Sequence, residues 1–386
     1  MSKKIGLITY HSAYNFGSVL QAMATQMTIQ KLGYPVEIVD YRPTEGDYFY
    51  KHLFFRHQPF KFFITDLLSV FTIPQRKLRQ RRFEEFISRH LKLSIKEYKE
   101  PQDLNALQKA YSLAISGSDQ IINKHSNELI TVDWEYMSPY LLTWFDGPKI
   151  SYASSPASMT NDELERIAPE LKKFEALSAR EADAAEKLSK LTGKPVATVC
   201  DPTLLMNQTQ WEQAVNIPPN RIDGDYILYY SLKRPRVMYK EIVPQLKRLR
   251  DRTGCKIVMV TPLSGTLPLM KDFINCLDAA PAQFLSLIKN ARAIVTDSYH
   301  GTLFSINFHR PFWTIEPKAD DSRKIQILTR THLQDRVVPS IDSIPDAFDQ
   351  IDFADAHHII AEYREHSVTY LRNAIKKALN PLQKGA

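Results

Sequence analysis

The chain has 386 residues, of which 44% are hydrophobic and 24% are charged, and its net charge is +7. This length suits two globular domains of roughly 150–200 residues each. The three cysteines are far apart and form no CxxC pair, which argues against a disulfide framework or a zinc site and fits a reducing cytoplasm. The first residues predict a strand and not a signal peptide, and no apolar run approaches the roughly 18 residues of a membrane span.

Strand and helix patterns alternate along most of the chain, which predicts an α/β fold with parallel sheets. In the first part we predict strands over 5–10, 36–40, 113–116, 149–153, 176–181 and 196–199, and helices over 19–33, 81–91, 162–175 (capped by Asn161) and 182–191. In the second part we predict strands over 226–231, 256–260, 293–296 and 311–315, and helices over 236–252, 281–290, 324–331 and 355–379. Residues 207–225, with Pro218, Pro219 and Gly224, are typical of an interdomain connection.

These elements predict two Rossmann-like domains that face a cleft, an architecture that resembles the B-type glycosyltransferases. We assign residues 1–207 to an N-terminal domain on the acceptor side and residues 223–350 to a C-terminal domain on the donor side. A long C-terminal helix within 355–380 is expected to brace the two domains.

Residues 48–82 form a basic insertion rich in aromatic residues, in which eight lysines and arginines accompany one acid, Asp66, and nine tyrosines and phenylalanines. Such a segment can lie on an anionic membrane surface or bind nucleic acid, or it can pack its aromatics inside while its cations face solvent. Nucleic acid is the weakest reading because no recognisable nucleic-acid motif accompanies the charge. The apolar clusters in 60–71 directly precede the cations of 76–82, which favours an interfacial element. We therefore expect a cytoplasmic protein that can lie peripherally on the inner face of the plasma membrane.

Five polar loops follow predicted strands, and such loops line the ligand crevice of parallel sheets. Their candidate residues are His11 and Asn15, Ser118 and Asp119, Arg180, Lys233 and Arg234, and the turn around His300. Asp119 can act as a base or cap a turn, and Arg180 can grip a phosphate or pair with a carboxylate. Neither the dinucleotide pattern nor the Walker A, zinc-protease or serine-hydrolase motif occurs, so neither NAD nor ATP nor a metal is indicated. Together the loops favour an anionic substrate.

The turn from Thr296 to Thr302 is the most informative of these loops. It lies between an apolar strand and a helix start, where unpaired backbone N–H groups and the helix dipole favour an anion. His300 in this turn can reach a phosphate or carboxylate and can move a proton. The alternative is that Asp297 or Ser298 only caps the helix while His300 packs locally.

Five motifs carry a family resemblance, and they are Asn15-Phe16-Gly17-Ser18, Gly117-Ser118-Asp119-Gln120, Ser178-Ala179-Arg180-Glu181, Asp201-Pro202-Thr203-Leu204 and Asp297-Ser298-Tyr299-His300-Gly301. In order and placement they resemble the polysaccharide pyruvyltransferase family over most of the chain. The resemblance implies a two-domain, GT-B-like enzyme that moves a pyruvyl group from phosphoenolpyruvate to a sugar and forms a cyclic ketal.

For this reaction we predict that His300 protonates C3 of the enol, while Asp119 takes a proton from the attacking sugar hydroxyl or orients the sugar. Donor binding is expected from Arg180, Ser298, Gly301, Lys233 and Arg234, and acceptor binding from Asn15, His11 and Ser118. Many characterised members carry arginine where this chain has Ser298, so the phosphate site loses one cation unless Arg180, Lys233 or Arg234 supplies it. The scheme requires no metal and no organic cofactor.

Two other functions remain open. The first is a glycosyltransferase with a nucleotide-sugar donor, which would also suit a phosphate-binding C-terminal domain. The serine at position 298, where many family members carry arginine, favours this alternative. The second is a non-catalytic relative that keeps the fold and binds polysaccharide. The expected partners are phosphoenolpyruvate and a sugar or lipid-linked oligosaccharide of a surface polysaccharide, together with a possible anionic membrane surface and no nucleic acid.

Overall fold

The protein is described by a computed structural model that covers residues 4–43, 70–232, 238–260, 272–316, 322–348 and 351–380. The first sheet is parallel, with strand order β2-β1-β3-β4. Strands β5 and β6 pair in parallel and continue this sheet through single bridges between Ile150 and Ala176 and between Ser154 and Ala179. The strands are β1 Ile5–Ile8, β2 Val36–Ile38, β3 Leu113–Ser116, β4 Lys149–Ser151, β5 Leu177–Ala179 and β6 Val196–Thr198.

The second sheet is also parallel and has the order β12-β11-β10-β7-β8-β9. Its central strands are buried throughout, as expected for a parallel sheet covered by helices on both faces. Its strands are β7 Tyr226–Tyr230, β8 Lys256–Val260, β9 Ile274–Asn275, β10 Ala293–Thr296, β11 Phe312–Ile315 and β12 Val337–Val338.

The α-helices of the described residues are α1 Phe16–Lys31, α2 Ile73–His90, α3 Asn161–Leu171, α4 Ala182–Thr192, α5 Gln208–Val215, α6 Val243–Thr253, α7 Pro281–Asn290, α8 Tyr299–Asn307, α9 Ser322–Arg330 and α10 Ala354–Leu379. A π-helical turn over Met238–Ile242 leads into α6. Helix α3 is capped by Thr160, whose side chain accepts the Glu163 N–H, so the predicted Asn161 cap is wrong by one residue. The predicted connection 207–225 contains α5, because Asn207 and Gln210 form a capping box at its start.

Helix α10 joins the two sheets. On the first sheet, the Tyr370 hydroxyl donates to the Ser151 carbonyl at 3.0 Å, and the Ser367 hydroxyl oxygen accepts the Cys200 N–H at 2.8 Å. On the side of the second sheet, His357 Nε2 lies 3.1 Å from the carbonyl of Ile306 in α8. The long C-terminal helix that the sequence predicts is present, while its bracing role and the domain limits 1–207, 223–350 and 355–380 remain predictions.

Of the basic insertion 48–82, the structure describes only residues 70–82, and residues 48–69 lie outside the described ranges. Helix α2 begins at Ile73, with Pro74 in its first turn, and not at 81 as predicted. Arg76 and Arg79 are 8% and 4% exposed, so these two cations of the run 76–82 face the protein interior and neither solvent nor a membrane surface. None of the described helices is both long enough and apolar enough to cross a bilayer.

Candidate active site

The first turns of helices α1 and α8 meet at the carboxyl ends of the two sheets. A Cβ atom added to Gly17, in the first turn of α1, would lie 2.2 Å from Nδ1 of His300, in the first turn of α8. Only a glycine allows this approach, so the imidazole lies directly against the α1 backbone. Helix N-termini carry unpaired N–H groups and partial positive charge, and here two of them converge on one histidine.

The α8 turn is built by small side chains. The Ser298 side chain accepts the Gly301 N–H at 3.3 Å, while the Ser298 N–H donates to the Thr296 hydroxyl at 3.0 Å. A Cβ at Gly301 would lie 2.3 Å from Thr296 Oγ1 and 2.8 Å from Tyr230 Cδ1, so glycine is required there. Ser298 is therefore the cap, whereas the Asp297 carboxylate accepts the Ser231 hydroxyl at 2.6 Å. Donor binding by Ser298 and Gly301 stays a prediction.

Asp201 connects His300 to the first sheet. Its side chain is fully buried, and Oδ2 lies 2.8 Å from Arg180 Nη1 and 3.5 Å from His300 Nε2. The other oxygen, Oδ1, accepts the N–H and the hydroxyl of Thr203. Burial would raise the pKa of the Asp201 carboxyl, but the His300 imidazole and the Arg180 guanidinium hold it well below its usual range. Asp201 is thus ionised and lies within ion-pair distance of the His300 imidazole.

Arg180 lies among three carboxylates. Its guanidinium is 2.8 Å from Asp201, 3.4 Å from Glu181 and 3.8 Å from Asp119, and its side chain is 1% exposed. Burial would lower the pKa of the Arg180 guanidinium, but the three carboxylates raise it above its usual value. The sequence leaves open whether Arg180 grips phosphate or pairs with a carboxylate, and in this structure it holds the acids in place.

Asp119 lies on the other side of Arg180, in the loop after β3. Its backbone φ of 77° is in the left-handed region, which a non-glycine residue adopts at a cost of roughly 1–3 kcal/mol. Oδ2 accepts the Ser18 hydroxyl of α1 at 2.9 Å, and Oδ1 accepts the Gln120 N–H at 2.9 Å. This carboxylate is therefore held between the first sheet and the first helix, on a strained turn of a kind that clusters at active sites.

The remaining predicted residues have different surroundings. The Asn15 side chain accepts the Gly17 N–H and caps α1, and the buried Ser118 hydroxyl donates to the Ala153 carbonyl. His11 lies in a separate network, with Nε2 2.8 Å from Asp40. Lys233 and Arg234 lie outside the described residues. Within the described ranges, no three His, Cys, Asp or Glu side chains are grouped to hold a metal ion.

The structure adds two residues, Tyr299 and Asp201, to which the sequence assigns no role. The guanidinium carbons of Arg180 and Arg323 lie 4.9 Å and 5.9 Å, respectively, from the centroid of the Tyr299 ring. Asp201 lies in one of the five family motifs, but the motif alone does not indicate what its carboxylate does. Its position just after a strand and before Pro202 is a signal for a polar residue at the crevice.

The family model described as polysaccharide pyruvyl transferase matches residues 15–318. The chain belongs to this family. The matched range contains the two meeting helix starts and the whole ionic cluster, so the resemblance predicted from sequence is confirmed. No curated protein matches the chain.

Solved structures show the same fold at low sequence identity. A protein assigned as a UDP-N-acetylglucosamine 2-epimerase from Listeria monocytogenes is 7% identical, covers 100% of this chain and 98% of its own, and has a TM-score of 0.54. The UDP-N-acetylglucosamine 2-epimerase from Rickettsia bellii is 10% identical, with 98% of each chain covered and a TM-score of 0.53. The enzyme of that name from Methanocaldococcus jannaschii is 10% identical, with 94% and 99% covered and a TM-score of 0.52. The predicted fold class is confirmed: two Rossmann-like halves that face a cleft, of GT-B type, with a long C-terminal helix.

Proposed function

We propose that this family member transfers a pyruvyl group from phosphoenolpyruvate to two hydroxyls of one sugar in a surface polysaccharide or its lipid-linked precursor. The observation that carries the proposal is the position of His300, between two helix N-termini and beside the ionised Asp201. Such a place favours an anionic substrate and supplies a group that transfers protons.

In the reaction, a sugar hydroxyl oxygen bonds to C2 of the enol, and C3 gains a proton. His300 donates this proton. Because Nε2 faces Asp201, the nitrogen that exchanges the proton with substrate is Nδ1, beside Gly17. Asp201 orients the ring and stabilises charge on it, as the carboxylate does in a Ser-His-Asp triad.

Asp119 accepts the proton of the first hydroxyl as its oxygen attacks. The second hydroxyl oxygen then displaces phosphate from C2, and its proton leaves with the phosphate. The products are the cyclic ketal and inorganic phosphate. Asp119 then releases its proton to solvent and His300 regains one from solvent, so atoms and charges balance without a cofactor. Arg180 serves this step by keeping Asp119 and Asp201 in place.

A nucleotide-sugar donor is the competing proposal, because the enzymes that share the fold are named for UDP-sugars. The test incubates the purified protein and a lipid-linked sugar acceptor with isotope-labelled phosphoenolpyruvate or with labelled UDP-sugars. Acceptor-dependent phosphate release with label transfer supports pyruvyl transfer. Release of UDP instead would establish the glycosyltransferase, and sugar binding without either product would indicate a non-catalytic relative.

The histidine is tested in the same assay. We expect His300→Ala to lower turnover by about 10²-fold or more, the usual contribution of a general acid. His358→Ala is the matched control, because that side chain is 74% exposed on α10. Equal turnover in both variants would remove His300 from the mechanism.

A lipid-linked acceptor would place the protein at a membrane surface, and the start of α2 is suited to that. Val70 and Phe71, in the 3-10 turn that precedes α2, are 45% and 78% exposed, and the cations Lys77 and Arg81 of α2 are exposed as well. Each exposed cation near an anionic surface contributes about 1 kcal/mol to binding. Flotation with vesicles that contain anionic lipid should therefore weaken in Lys77→Gln and Arg81→Gln, and unchanged flotation would refute this surface.

A further inference from the structure

Two histidines meet where the end of α8 contacts the start of α10. His309 follows the last turn of α8, and its Nε2 lies 2.5 Å from Nδ1 of His357, in the first turn of α10. The opposite nitrogen of each ring also has a polar neighbour. Nδ1 of His309 lies 3.0 Å from Oε1 of Gln208 in α5, and Nε2 of His357 lies 3.1 Å from the Ile306 carbonyl. These contacts form one chain, and its atoms determine how many protons the two rings hold together.

Both outer contacts require a donating ring nitrogen. A backbone carbonyl only accepts, so the hydrogen bond to Ile306 needs a proton on Nε2 of His357. The Gln208 amide is oriented by its other end, because its Nε2 donates to the Glu212 carboxylate at 2.7 Å. That bond lowers the pKa of the Glu212 carboxyl, so the group is ionised and only accepts. The amide oxygen of Gln208 therefore faces His309, whose Nδ1 carries a proton.

The contact between the two rings needs one further proton. A neutral imidazole carries a proton on only one of its two nitrogens. With their protons on the outer nitrogens, a neutral His309 and a neutral His357 would face each other with two lone pairs, which repel. The contact becomes a hydrogen bond when His357 carries a second proton, on Nδ1, and donates it to Nε2 of His309.

The surroundings determine which ring takes this proton. Burial, the neighbouring His357 and Arg310 together lower the pKa of the His309 imidazole to about 4, so His309 is neutral near pH 7. The Ile306 carbonyl belongs to the last turn of α8, where the negative end of the helix dipole favours a cation. His357, which donates to this carbonyl, is therefore the ring that carries the charge.

Charged groups also lie on the elements packed around the two rings. The first turn of α10 opposes a cation at His357 through the positive end of its dipole, and Asp355 in the same turn lies 2.7 Å from His332. On the other side, Glu212 of α5 lies 3.1 Å from Lys289 of α7. Both acids thus have partners of their own, and the two acceptors described above are what stabilises a cation at His357.

We propose that His309 and His357 hold one proton between them near neutral pH and that this proton binds the start of α10 to the end of α8. Its loss at higher pH leaves two lone pairs in contact, and a second proton at acid pH places two cations in contact. The contact is therefore strongest in a window around neutral pH. Because α8 carries His300 in its first turn, the pair holds the opposite end of that helix. This inference does not depend on the proposed function.

The experiment measures the free energy of urea unfolding of the full chain between about pH 5 and pH 9. Wild type is compared with the double variant His309→Gln/His357→Gln, so the titration of the other groups cancels in the difference. Both imidazoles titrate near pH 6.5 in the unfolded chain. A folded pair with one proton holds fewer protons than the unfolded chain below about pH 6.5 and more above it.

The stabilisation by the pair should therefore pass through a maximum near pH 6.5. On the alkaline side, the ratio of the two unfolding constants should change by up to about tenfold per pH unit, the effect of one proton. The matched control is His358→Gln, because that imidazole of α10 is 74% exposed and lies 3.9 Å from Glu362. Its difference from wild type should show no such maximum.

A pair that is neutral in the folded protein gives a different profile. Its stabilisation would increase up to about pH 7 and stay constant at higher pH, because neither state then binds a proton. That profile, or a difference that does not change with pH, overturns the inference. If the double variant does not fold, His357→Gln alone is compared with wild type, and the absence of the alkaline decrease overturns the inference.

Discussion

Gly17 and His300 are in contact across the cleft, closely enough that a single added methyl group at residue 17 would overlap the imidazole. The two residues are 283 positions apart in the chain, as their numbers show, and belong to α1, which follows β1 of the first sheet, and to α8, which follows β10 of the second. The position of the imidazole therefore depends on how the two halves are joined.

The substitution Gly17→Ala tests this contact. Alanine is the better helix former, so the change alone would stabilise α1 by roughly 1 kcal/mol. We expect the opposite, a decrease of about 1–3 kcal/mol in the free energy of unfolding, because the added methyl group overpacks the site. Turnover should fall by about 10²-fold, because the imidazole ring is displaced. Urea unfolding and the transfer assay measure the two effects.

The double variant Gly17→Ala/His300→Ala provides the control. With the imidazole gone, the added methyl group has space, so the stability loss should largely disappear. Additive losses in the double-mutant cycle would show that the methyl group acts on something other than His300.

Asp201 is predicted to be the most sensitive carboxylate for stability. Asp201→Asn leaves Arg180 and His300 without their shared buried charge, and breaking such a pair costs about 3–5 kcal/mol. Asp342→Asn is the control, because Asp342 and Arg248 form an exposed pair and such pairs contribute about 0–1 kcal/mol. Equal losses in the free energy of unfolding would contradict the assignment.

The same carboxyl predicts a dependence of stability on pH. Its folded pKa lies below its usual value near 3.8, so its contribution is fully present above that value and is lost as pH falls through the lower folded pKa. The difference in free energy of unfolding between wild type and Asp201→Asn should therefore be constant near neutral pH and shrink below about pH 4. A difference that stays constant to the acid transition would show that the pKa of Asp201 is not lowered.

Asp119 is predicted to act on the acceptor. Asp119→Asn should lower turnover by about 10²–10⁴-fold and leave the dissociation constant of phosphoenolpyruvate unchanged, since the residue accepts a proton from the sugar. Ser18→Ala removes one hydrogen bond to this carboxylate, so it should also lower turnover, but by less than Asp119→Asn does. Weaker donor binding in Asp119→Asn would instead place this side chain at the donor.

Sequence periodicity predicts ten of the twelve strands of the described residues and several helices, because local apolar patterns determine which segments are buried, but it misses the two-residue strands β9 and β12. Helix α7 has the predicted bounds, whereas α3 is capped one residue earlier because Thr160 and Asn161 both suit a cap. The early start of α2 at Ile73 follows from Pro74, which fits a first helical turn.

Side-chain partners are predicted less well, since they depend on contacts between distant segments. The motifs around Asp119, Arg180 and His300 do converge, but the role of Arg180 as the centre of three carboxylates depends on tertiary packing. His11 stands in a polar loop like the others, and only the fold shows that its partner is Asp40, at the end of the neighbouring strand.

Helix α10 has a consequence for biosynthesis. It follows the entire second sheet in the chain, yet it covers β4 of the first sheet and accepts the Cys200 N–H through Ser367. During translation, the last apolar surface of the first half therefore stays uncovered until this helix has been synthesised. A ribosome-bound chain that stops before Ala354 should remain a client of chaperones.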